Sequence, residues 1–222
     1  MQTVKSLGYP VPLQKKDMAR KIFLIILLLI VGFAVYWFKF RTTGPHIKAP
    51  KLTPIALKKH SEKFNKSVDS LVSAYLDIKN AFVDADTAAA RKATLAFIDH
   101  IDHFPINEMK TDTSIVLATV QGNLADIKSN AVSLVKQTDI TEMRKDFSAV
   151  TEQMYPSFFT AINYEGRTLY FENCPMAFGE NNGANWISNS EEIVNPYMGK
   201  NHPEYKGTML SCGEVKDSIV AK

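Results

Sequence analysis

Residues 62–104 read EKFNKSVDSLVSAYLDIKNAFVDADTAAARKATLAFIDHIDHF, and the spacing of their apolar positions decides the fold. Phe64, Val68, Leu71, Val72, Tyr75, Leu76 and Phe82 recur at steps of three and four, the period that puts side chains on one face of a helix. A short DAD segment follows. Asp84 or Asp86 is placed to accept hydrogen bonds from the free N–H groups of a second helix, whose buried side carries Phe97, Ile98, Ile101 and Phe104. Pro105 ends it, because proline cannot donate to the helical ladder.

The same period continues downstream. Leu117, Val120, Leu124, Ile127, Ala131 and Leu134 form a third stripe. Ile140, Met143, Phe147, Val150, Met154, Phe158 and Ile162 form a fourth, opened by Asp139 and Glu142 in the spacing of a capping box. Four amphipathic helices joined by short turns bury four stripes most simply as an antiparallel four-helix bundle, expected over 59–166. No Gly-rich phosphate loop, His-Glu zinc helix or nucleophile elbow interrupts these stripes, so the sequence predicts no enzyme.

Upstream lies Ile22 to Phe38, IFLIILLLIVGFAVYWF, without a charged residue and near the shorter limit for crossing a bilayer. Lys5, Lys15, Lys16, Arg20 and Lys21 precede it, and Tyr36 and Trp37 sit at its far end, where amphipathic rings favour the interface. The pattern predicts a cytoplasmic basic tail over 1–21 and a single transmembrane helix over 22–40. A proline-rich linker, TTGPHIKAPKLTP, lies within 41–58. The main domain is then expected outside the cytoplasm, held to the membrane; in the bacterial cell that the resemblance below implies, these are the periplasm and the inner membrane. The formal net charge of +3 among 222 residues is too small to argue for nucleic acid.

Beyond residue 166 the helical period stops. TLYFENC alternates like a strand and TMLSCGEV reads as a second strand or a turn, so 167–222 is expected to be a small irregular lobe carrying a short β ribbon. Both cysteines of the chain lie there, each beside a methionine. In extended backbone Cys174 and Met176 point the same way, and a turn brings Met209 and Cys212 onto one side. Two such arms make a two-thiolate, two-thioether set suited to Cu(I). The same cysteines, in an oxidising compartment, pair as a Cys174–Cys212 disulfide. Both readings stand on the sequence. His202 lies between the arms and is a further candidate ligand, and a candidate base if either cysteine were a nucleophile. His100 and His103 flank a stripe where solvated residues belong, and Met198 reads as apolar filling.

YLDIKNAFVDADTAAARKATLAFIDHI, followed by LYFENCPMAFGENNGANWIS, EEIVNPYMG and MLSCGEV, resembles the domain-of-unknown-function 3347 family, common in envelope proteins of the Bacteroidetes. The resemblance runs from about Ser70 to Val215. Its elements fall on Cys174, Pro175, Met176 and Ala177, then Gly183, Ala184 and Trp186. Asn195, Pro196, Tyr197 and Gly199 follow, with Met209, Leu210, Cys212 and Gly213 last. This chain departs from the pattern by an insertion, KNHPEYKGT, and by Met198 where phenylalanine is common. The family also occurs appended to adaptor subunits of heavy-metal efflux pumps, which implies a soft metal, a metal efflux system or another membrane protein complex as partner. The expected function is therefore soft-metal handling at the membrane, or a non-enzymatic accessory subunit, of a respiratory complex among others, with the cysteines locked as a disulfide.

Overall fold

In the computed structural model, residues 21, 23–30, 32–33, 59–202 and 204–220 are described. Residues 23–30 and 32–33 are helical and expose large apolar side chains from Phe23 to Phe33. Among the described residues no helix is long and apolar enough to cross a membrane. The remainder of the expected 22–40 anchor, the basic tail and the linker lie outside them.

The domain that follows is mainly helical. Helices α1 (Glu62–Val83), α2 (Thr87–Asp102), α3 (Ser114–Lys136) and α4 (Ile140–Gln153) occupy the four stripes. Their starts follow from capping side chains: Ser61 accepts from the Phe64 N–H, Asp86 from Ala89, Thr113 from Val116, and Asp139 from both Thr141 and Glu142. Asp86 takes the role between the two aspartates, and Glu142 pairs with Lys145 instead of reaching back to close a capping box.

Consecutive helices pack against each other, and α4 closes on α1 with opposite direction. Tyr75 bonds Thr151 at 2.6 Å, while Phe82 O, one turn or more further along α1, accepts from Arg144 near the start of α4. Tyr75, Phe82, Phe97 and Phe147 meet as rings at the centre of this layer.

The fourth stripe is not one continuous helix. α4 stops at Gln153, a π-helical segment, Met154–Phe158, follows with Tyr155 extended at φ −128° and ψ 133° inside it, and the stripe ends in a last short helix, Phe159–Ala161, α5. Pro156 is the cause: inside a helix its ring collides with the preceding turn and it lacks an N–H. The peptide bond before it is cis. A six-residue 3-10 helix at Ile106–Thr111, absent from the sequence expectation, bridges α2 and α3 and seats Met109 in the core.

The lobe after α5 contains a three-stranded antiparallel sheet in the order β2-β1-β3, one strand more than a ribbon. β1 is Leu169–Cys174, as TLYFENC predicts. β2, Ala184–Ser188, lies between the two segments expected to form the ribbon, and β3 begins only at Glu214, after the TMLSCG turn. Between β2 and β3 a long strap runs back to the end of α1. Lys200 N donates to Val83 O and Asn201 Nδ2 to Asp84 O, so the strap satisfies carbonyls that a helix end leaves free.

Gly199 is where the strap lies closest. A Cβ there would fall 2.6 Å from Val83 O and 2.7 Å from Phe82 O, both backbone atoms that cannot swing aside. Gly199→Ala is expected to destabilise the domain by about 2 kcal/mol through this forced displacement. An unchanged melting temperature in that variant would contradict the close packing of the strap on α1.

Candidate functional site

Cys174 is the last residue of β1 and Cys212 closes the turn before β3. The antiparallel pairing of β1 with β3 brings these positions side by side although they lie 38 positions apart in the chain. Their sulfurs lie 3.2 Å apart, as two free thiols. Cys174 is fully buried and Cys212 partly exposed. Burial, reinforced by the neighbouring thiol, pushes the Cys212 thiol up to about 11.

The elements singled out beside the cysteines converge on the pair. The Asn195 side chain, wholly buried, donates to Cys212 O at 2.7 Å and accepts from the N–H groups of Tyr197 and Met198. Its backbone N–H donates to Leu210 O. One residue thereby ties the NPYMG turn to the MLSCG turn. The Tyr197 hydroxyl donates to Asn185 O in β2, and its ring meets Trp186 and Phe178 edge-on. Gly213, at φ +149°, brings its backbone against Asn173 O and the Trp186 ring, where a Cβ would stand 2.8 Å from each. Gly183 similarly lies against Cys174 O.

Of the expected soft-metal set, Cys174 and Cys212 are brought together. Met176 and Met209 are both partly buried against the core. Met198 is buried, as apolar filling should be. His202 is engaged elsewhere: its Nδ1 accepts from the N–H groups of Glu204 and Tyr205, its ring stacks on Tyr205, and burial with the Arg144 charge lowers its pKa. His103 faces Asp99 at the end of α2. Among the described residues no three His, Cys, Asp or Glu side chains form a group that could hold a metal, so neither histidine region joins the thiols.

A residue that sequence reasoning passed over lies two positions from Cys174. Glu172 has no exposed surface, and it pairs across the sheet with Trp186 on one side and Val215 on the other. Among the described residues neither carboxylate oxygen, nor the Trp186 indole N–H, has a hydrogen-bond partner. Burial pushes the Glu172 carboxyl up to about 7, against the opposing pull of the Lys79 charge. Lys79 is itself buried in α1 and lowered by the same cause.

Fold and site define a mainly helical domain with a small antiparallel sheet, in which two thiols meet across the edge of the lobe. Residues 71–163 match the model of the family described as Protein of unknown function (DUF3347), which is the family the sequence resembles. The matched residues begin within α1, end just after α5, and stop before β1 and both cysteines. No curated protein and no solved structure matches the chain.

Proposed function

We propose that this chain is a membrane-tethered, non-enzymatic accessory domain whose C-terminal lobe is locked by a Cys174–Cys212 disulfide. The observation that carries this reading is the 3.2 Å approach of the two sulfurs, at the junction that Asn195, Gly213 and Trp186 hold closed. An S–S bond of about 2.05 Å needs only a small further approach. A disulfide also marks an oxidising compartment, so the lobe faces outward from the cytoplasm. That agrees with an apolar anchor behind a basic tail in the bacterial inner membrane. A tethered domain searches for membrane partners in two dimensions, which suits a subunit of a membrane protein complex.

The test is purification of the full chain from its own membranes in mild detergent without reductant. Co-purification of a stoichiometric membrane partner with both cysteines oxidised supports the reading. A lone monomer with free thiols overturns it.

The adjacent thiols, with Met176 and Met209 on the same core, favour a second reading in which the reduced protein holds Cu(I) through Cys174, Met176, Met209 and Cys212. In that case reduced protein binds one Cu(I), and the Cys174→Ser/Cys212→Ser variant does not. His202 takes no part in this reading, being committed to its own turn.

A further inference from the structure

We propose that Cys212 is the thiol at which a disulfide-bearing oxidant enters, and that Cys174 is the resolving thiol that expels it. This rests on the disulfide reading above and adds the order of events and the class of partner.

The two sulfurs are not equivalent. Cys174 has no exposed surface, so no second molecule reaches its sulfur. Cys212 sits in a surface turn, Gly207 to Cys212, and is partly exposed. An oxidant therefore meets Cys212 first. Cys212 first gives its proton to solvent, a step its raised pKa makes slow, and the thiolate attacks one sulfur of the incoming disulfide, forming a mixed disulfide and releasing the first half of the oxidant as a thiolate that solvent protonates.

Cys174 then stands 3.2 Å from the sulfur it must attack, on the side away from solvent. That is within the roughly 3–3.5 Å of a near-attack arrangement. It also lies opposite a leaving group that projects outward. Cys174 forms the Sγ–Sγ bond, and its proton passes to the second half of the oxidant as that half departs, so it leaves as a thiol. Two protein thiols become one disulfide and one oxidant disulfide becomes two thiols, so electrons and protons balance. Burial of Cys174 protects the finished bond on one side, and any reductant must likewise attack at Cys212.

The experiment uses the reduced full chain in detergent with oxidised glutathione as the probe, read by intact mass. Cys174→Ser is expected to accumulate a stable glutathione adduct on Cys212. Cys212→Ser is expected to form adduct at Cys174 at least tenfold more slowly. The wild type is expected to pass to the internal disulfide with little adduct. Equal adduct formation in the two single variants under native conditions overturns the assignment, as does faster trapping at Cys174. Circular dichroism shows that each variant is folded. Failure of the wild type to form any internal disulfide would instead sink the underlying disulfide reading, which keeps the two outcomes separate.

Discussion

Replacing both cysteines by serine lowers the stability of the oxidised domain by about 4 kcal/mol, the chain-entropy value for a cross-link closing a loop of this length. The 38-residue separation sets that figure, because the longer the loop, the more freedom the link removes from the unfolded chain. For a domain of this size the melting temperature should fall by roughly 10 °C. Adding reductant to the wild type should reproduce most of the loss, and adding it to the variant should change nothing. A wild type insensitive to reductant, or a variant as stable as the oxidised wild type, would show that the cysteines carry no link. The irregular lobe makes the effect large, since among the described residues its strap has no helix or strand between β2 and β3 to hold it.

Glu172 carries the second large effect, through pH. Its carboxyl rises from an ordinary 4.5 to about 7 in the folded protein, so the folded state binds this proton more tightly than the unfolded one. The stabilisation is complete below the unfolded value and is lost as pH rises through about 7. The span corresponds to about 3 kcal/mol at one pH unit per 1.36 kcal/mol. Lys79 is lowered by burial, so its own contribution favours alkaline pH and opposes that of Glu172. Wild type should therefore lose stability between pH 5 and pH 8, and Glu172→Gln should have a much flatter profile over that range. Denaturant melts at a series of pH values measure both slopes. Parallel slopes would mean that the carboxyl is solvated or paired in the folded protein.

The helical part of this fold is legible because each helix carries its own periodicity and its own cap. Asp86, Thr113 and Asp139 start helices by local chemistry that needs no tertiary knowledge. The break at Pro156 was also written in the sequence, but the apolar stripe from Ile140 to Ile162 runs on through it and masks the stop. β2 was not legible: five residues flanked by Asn and Gly give too little alternation, and Trp186, Ile187 and Ser188 are all buried in sequence, Ile187 donating to Tyr75 of α1 and Trp186 meeting the Tyr197 ring.

The site divides in the same way. Cys174 and Cys212 announce themselves by type, and the β1–β3 register decides that they meet. Glu172 does not announce itself. A glutamate in a strand reads as solvent-facing until the sheet sets it against Trp186 and a lysine from α1, 93 positions earlier in the chain than the carboxylate.

The most direct test of the account is the state of the two cysteines in protein extracted without reductant, unfolded in the presence of an alkylating reagent and weighed intact. The account predicts no alkylation until a reductant is added and then alkylation of both Cys174 and Cys212. Alkylation of both thiols before reduction would contradict the locked lobe.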